Sequence, residues 1–162
     1  MNSSIISIFL ISLVFCYSVA AIGSAFTIPS ITLWYATLTK PWFTPPNWIF
    51  APVWTILYTC MAIALTLIWT AKTRNAASRK ARREGLVYFF IQLVLNVIWS
   101  ILFFGAHQIG RAFLVLIALW LMIYLAIEKF HAIRKTAGYI LFPYLAWVSF
   151  AAILNLSIVM LN

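Results

Sequence analysis

Five apolar stretches, about residues 5–26, 49–70, 86–106, 112–130 and 138–161, are each long enough to cross a bilayer, whose core of about 30 Å takes roughly 20 helical residues. Lipid offers no partner to a backbone N–H or C=O, so a spanning chain must be helical or close into a barrel. A barrel would show segments of about 10 residues alternating apolar and polar, and no such alternation occurs here. The expected fold is an all-α membrane protein, a five-transmembrane-helix bundle forming one domain over residues 1–162. A chain that is 65% apolar and only 8% charged lies outside the soluble globular class.

The net charge of +9 would suggest nucleic acid in a soluble protein, but its placement argues for topology. Lys72, Arg74, Arg79, Lys80, Arg82 and Arg83 lie between the second and third stretches, in a basic segment 72–85 expected as an exposed, mobile connector. Lys129, Arg134 and Lys135 surround the fourth connection, whereas only Lys40 and Arg111 fall on the other side. Basic loops stay cytoplasmic. The expectation is a multi-pass integral protein of a bacterial cell membrane with a cytoplasmic N-terminus, no nucleic-acid partner, and attraction of its basic end to anionic lipid. No Lys or Arg precedes Lys40, so the charged start of a signal peptide is missing and the first stretch reads as a retained helix.

Between these helices, residues 27–48 form a Pro- and Trp-rich loop. Trp34 to Tyr58 carries four Trp (34, 42, 48, 54) and four Pro (41, 45, 46, 52). Each Pro fixes φ and removes a donor, which predicts a rigid, aromatic-rich lid before Trp48. Pro52 falls in the first turn of the next helix, where its missing donor costs little.

Helical spacing picks out three stripes. Trp54, Tyr58 and Met61 share a face of the second span, Gln92, Asn96, Trp99 and Phe103 a face of the third, and Trp147, Ala151 and Asn155 a face of the fifth, with Tyr144 one turn earlier. Amides are costly in hydrocarbon unless partnered, so Gln92, Asn96 and Asn155 should look inward, either bonding between helices or contacting a ligand. The first span, with Ser7, Ser12, Ser18, Gly23 and Ser24, reads as a packing helix, and Cys16 and Cys60 as small apolar fillers.

No phosphate loop, dinucleotide fingerprint, nucleophile elbow or clustered metal ligands appear. The two acids, Glu84 and Glu128, both fall at the basic end, so no carboxylate pair is available inside a pocket. No catalytic or metal-binding residue is assigned. What remains suits a flat, greasy ligand held by aromatic contact and a few hydrogen bonds.

These motifs together resemble the TspO/translocator-protein family, the tryptophan-rich sensory proteins or peripheral-type benzodiazepine receptors. The resemblance is carried by Trp34-Tyr35, Lys40-Pro41 through Pro45-Pro46-x-Trp48, Ala51-Pro52-Val53-Trp54-Thr55 with Leu57-Tyr58, Asn96-x-x-Trp99 before Phe103-Phe104-Gly105, and Pro143-Tyr144 through Trp147, Phe150-Ala151 and Asn155. It implies a five-helix bundle, often a homodimer, that needs no cofactor and binds porphyrins, heme-like or other tetrapyrroles and further hydrophobic small molecules. Ligand contacts would fall on Trp34, Tyr35, Pro45, Trp54, Tyr58, Asn96, Trp99, Phe103, Trp147, Phe150 and Ala151. The expected function is tetrapyrrole binding with a sensory, regulatory or handling role; the alternatives are a porphyrin-degrading, perhaps light-dependent, enzyme and a transporter of such ligands. The animal sterol motif in the fifth helix has no counterpart, since Leu156 to Asn162 contains neither Tyr nor a basic residue.

Overall fold

The computed structural model describes residues 3–162. Its helices are α1 (Ser3–Thr32), α2 (Trp34–Thr37), α3 (Phe50–Trp69), α4 (Ala76–Ser100), α5 (Ile109–Ile133), α6 (Lys135–Ile140) and α7 (Phe142–Leu161), with a 3-10 turn at Asn47–Ile49 before α3 and a π-helical turn at Ile101–Gly105 after α4. Among the described residues there is no strand. Five helical runs are long and apolar enough to cross a membrane: Ser3–Thr32, Asn47–Trp69, Ala76–Gly105, Ile109–Ile133 and Lys135–Leu161. The connections alternate ends, so one end gathers the basic residues and the other the aromatic loop.

Several boundaries differ from the expectation, each for a local reason. α1 continues through Pro29 to Thr32 instead of stopping near residue 26. A proline is tolerated in a membrane helix where neighbours satisfy the backbone it disturbs, and next to it the Ser30 hydroxyl donates to the Phe104 carbonyl at 2.6 Å. The basic segment is largely helix rather than a mobile loop. α4 starts at Ala76 because Asn75 and Ser78 cap it reciprocally, Ser78 N–H donating to Asn75 Oδ1 at 2.8 Å and Asn75 N–H to Ser78 Oγ at 3.2 Å. Arg79, Lys80, Arg82 and Arg83 therefore sit on helical turns, and Arg82 reaches back to the Ala71 carbonyl at the end of α3 at 3.3 Å. The last span breaks at Leu141, between α6 and α7, where Pro143 cannot donate backward into α6.

α4 and α5 are antiparallel neighbours, as their short connection requires. Gly85 permits the approach: a Cβ there would lie 2.9 Å from both Lys129 Cβ and the Phe130 ring. Phe89 and Phe130 stack at 5.7 Å above it. At the same end Lys129 bridges Glu84 at 3.2 Å and Glu128 at 3.9 Å, so both acids of the chain face one ammonium. Cys16 and Met61 are fully buried between α1, α3 and α4, while Leu10, Ile11, Val14, Leu114 and Met160 point outward. Apolar groups can cover that outer face only because the solvent is lipid.

Candidate functional site

The half of the bundle away from the basic residues encloses a cavity of about 460 Å³, within the range of small-molecule sites. Its walls come from every long helix except α5. From α3 come Ala51, Trp54, Thr55 and Tyr58; from α4 and the π turn come Asn96, Trp99, Ser100, Phe103 and Phe104; from α7 come Trp147, Ala151 and Asn155. Tyr35 of α2 and Asn47 of the loop complete the end of the cavity nearest the lid.

The stripes meet because their helices converge on shared hydrogen bonds. Tyr58 Oη donates to Asn96 Oδ1 at 3.0 Å, Asn96 Nδ2 to Tyr144 Oη at 3.1 Å, and Tyr144 Oη to Gln92 Oε1 at 2.7 Å. Gln92 Nε2 points on to Met61 Sδ at 3.7 Å. This relay ties α3, α4 and α7 together below the cavity and satisfies groups that would be costly alone in hydrocarbon. Gln92 and Tyr144 are inter-helix ties behind the wall. Asn96 and Tyr58 serve both purposes, since they also face the space.

A second tie sits higher. Trp99 Nε1 donates to Asn155 Oδ1 at 3.2 Å, and Asn155 Nδ2 donates to the Ile109 carbonyl at the start of α5, 3.0 Å away. The Trp99 ring then stacks on Phe103 at 5.4 Å. On the opposite wall the Trp54 ring packs on Tyr58 at 5.6 Å and edge-on to Tyr144 at 6.2 Å. Phe50 meets Trp147 edge-on at 5.9 Å. The outcome is a rigid aromatic box with a few fixed polar atoms.

The lid is held from three directions. Lys40, one of the two basic residues at this end, folds its ammonium onto the carbonyls of Tyr35 (2.8 Å) and Leu38 (3.1 Å), capping the C-terminus of α2. Asn162 pairs with the backbone of Thr39 in both directions, accepting at 3.0 Å and donating at 2.9 Å. Phe43 lies edge-on to Phe150 at 6.3 Å. Burial pushes the Tyr35 phenol up to about 12, so it stays neutral beneath Lys40.

Of the residues implied by the family resemblance, Tyr35, Trp54, Tyr58 and Asn96 line the cavity, as do Trp99, Phe103, Trp147 and Ala151. Trp34, Pro45 and Phe150 lie outside that wall. Trp34 stacks on His107 at 4.1 Å, with the histidine backbone at a φ of 57°, so it fastens α2 to the turn after the π helix. Pro45 is half-buried in the lid. Phe150 packs behind Trp147 at 5.6 Å. The wall that sequence spacing did not reveal is α1: Ala20, Ala21, Gly23, Ser24 and Thr27 line the cavity, so α1 does more than pack. Such small residues carry no chemical signal, although their clustering on the outer half of α1 is visible in the sequence.

Because Ala21, Ser24, Ala51 and Thr55 are exposed, the cavity opens between α1 and α3 toward the bilayer. Deeper in, the gap closes where Tyr17 Oη meets Thr59 Oγ1 at 2.9 Å and the Thr55 carbonyl at 3.1 Å.

Residues 12–161 match the TspO/MBR family. The chain is 40% identical over 148 residues to the tryptophan-rich protein TspO of Chlorobaculum tepidum, covering 91% of this chain and 90% of that one. It is 43% identical over 140 residues to the TspO of Archaeoglobus fulgidus, with 86% and 87% covered. The human translocator protein is 35% identical over 134 residues, with 83% and 78% covered. With five helices able to span a bilayer and a match over nearly its whole length, this multi-pass integral membrane protein belongs to the TspO/MBR family.

Proposed function

We propose that the cavity binds a tetrapyrrole or a similarly flat hydrophobic molecule, and that the protein senses or handles that ligand in the membrane. The observation that carries the reading is the aromatic box itself: indoles of Trp54, Trp99 and Trp147 surround about 460 Å³ with the Tyr58–Asn96 pair at its base. Offset and edge-on ring contacts suit a planar conjugated ligand, while fixed amides and hydroxyls orient it. An opening toward lipid suits a molecule that partitions there. No carboxylate or histidine lines the cavity among the described residues, so binding needs fewer assumptions than acid–base turnover. The excess of basic residues at the opposite end supports an orientation with the N-terminus and the α3–α4 connection in the cytoplasm.

Titrating the purified protein with protoporphyrin IX, followed by tryptophan quenching and the porphyrin absorption band, tests the proposal. Saturable binding that Trp54→Ala or Trp147→Ala weakens about 10-fold is expected, in line with the loss of one or two aromatic contacts. Non-saturable quenching that is identical in both variants would remove the reading.

A further inference from the structure

Among the described residues, Ser100 is the buried polar residue of the cavity wall whose hydroxyl makes no hydrogen bond, and its oxygen keeps some accessible surface. Among the described residues six polar ones are buried: Ser12, Thr66, Gln92, Asn96, Ser100 and Asn155. Thr66, Gln92, Asn96 and Asn155 make hydrogen bonds. Ser12 and Ser100 make none among the described residues, and of these two only Ser100 lines the cavity.

The missing bond is not a general habit of this chain. Nine Ser and Thr hydroxyls donate to the carbonyl four residues back, the usual resort of a helical hydroxyl in lipid, so Ser100 departs from a pattern the same helices follow. The residue is only 6% exposed, yet its hydroxyl oxygen is not sealed off, and the surface it keeps is free to meet a partner in the cavity it lines. It sits at the last residue of α4, where the backbone passes into the π turn, a feature that often marks a functional site. Across from it stands Gly23, where a Cβ would come within 3.3 Å of Ser100 Oγ. Glycine at that point lets α1 come close without a side chain crowding the hydroxyl.

We infer that Ser100 is a specificity-determining residue whose hydroxyl donates to a neutral carbonyl oxygen of the bound molecule. This rests on the reading of the cavity as a site for flat hydrophobic ligands and adds the polar group it selects. The acceptor is neutral because no Lys, Arg or His lines the cavity among the described residues; a carboxylate beside Ser100 would be desolvated without a counter-charge. A ligand with acidic arms keeps them at the mouth and turns a neutral edge inward.

The test uses the full chain in detergent or nanodiscs with two probes of similar shape: protoporphyrin IX dimethyl ester, which carries neutral carbonyls, and etioporphyrin, which carries only alkyl groups. Ser100→Ala should weaken the ester about 2- to 10-fold, the usual worth of one neutral hydrogen bond, and leave etioporphyrin unchanged. Etioporphyrin binding thus also reports that the variant is folded. Ser100→Thr keeps the hydroxyl and should keep the preference for the ester. Equal losses for both probes would mean that Ser100 only packs, and an unchanged ester affinity would mean that its hydroxyl is not used; either overturns the assignment while leaving the ligand class intact. Wild-type protein that binds neither probe would overturn the ligand class as well.

Discussion

Trp99 donates its indole N–H to Asn155 at 3.2 Å, and Asn155 in turn donates to the Ile109 carbonyl. One amide thereby joins α4, α7 and the start of α5 while facing the cavity. Asn155→Leu should strand the indole N–H and lower stability by about 1–2 kcal/mol, the upper part of the range for hydrogen bonds in membrane bundles. Thermal or denaturant unfolding in detergent would measure it, together with a shift in tryptophan emission as Trp99 loosens. Unchanged stability and emission would mean that the tie has no energetic weight.

The relay beneath the cavity predicts an asymmetry between two tyrosines. Tyr144 Oη bonds both Asn96 and Gln92, whereas Tyr58 Oη is held by Asn96 alone. Tyr144→Phe should therefore destabilise more than Tyr58→Phe, by about 1 kcal/mol, because it leaves two buried amides short of a partner. Unfolding midpoints of the two variants, compared side by side, check the order.

Glycine positions give a sharper contrast. A Cβ at Gly85 would meet Lys129 Cβ and Phe130 at 2.9 Å, and one at Gly138 would meet His131 Cβ at 2.9 Å and its backbone at 3.1 Å, whereas one at Gly110 meets nothing within 4 Å. Gly85→Ala and Gly138→Ala should each cost about 1–3 kcal/mol through overpacking. Gly110→Ala, near the start of α5, should be neutral or slightly stabilising, since alanine is the better helix former. A thermal-shift series in one detergent would decide; equal behaviour of all three would contradict the packing described.

The lid is tied down by the Asn162 side chain. Removing Asn162 deletes both bonds to Thr39, and porphyrin dissociation measured by stopped flow should quicken by about 2- to 10-fold, as expected for one or two modest hydrogen bonds. An unchanged off-rate would show that the lid does not limit release.

Much of this arrangement was legible in the sequence. The lengths of the apolar runs pointed to the five helices, and the i, i+3 and i+7 spacing of Asn96, Trp99 and Phe103 put on one face three residues that do line one wall. Spacing could not say which stripe members turn into the cavity and which turn behind it. Gln92 and Phe150 belong to those faces or beside them, yet Gln92 is engaged by Tyr144 and Phe150 by the lid. The helical basic segment was hidden because charge dominated the reading, although Asn75 and Ser78 already carried a capping signature. The α1 wall was invisible for a physical reason: it is made by the absence of side chains, and absence becomes a surface only once the neighbouring helices are in place.

The proposed orientation of the bundle rests on charge alone and can be checked separately. In a background with Cys16 and Cys60 replaced, Thr73→Cys in the basic connection should react with a membrane-impermeant thiol reagent only from the cytoplasmic side, and Thr39→Cys in the lid only from the other. The reverse pattern would invert the topology.

The central claim is that the ligand sits between the helices, in the space that Ala151 leaves open. Ala151→Trp should fill that space and abolish saturable protoporphyrin IX binding, while Ile153→Trp, on the exposed face of the same helix, should bind as the wild type does. Wild-type affinity in Ala151→Trp would contradict the account.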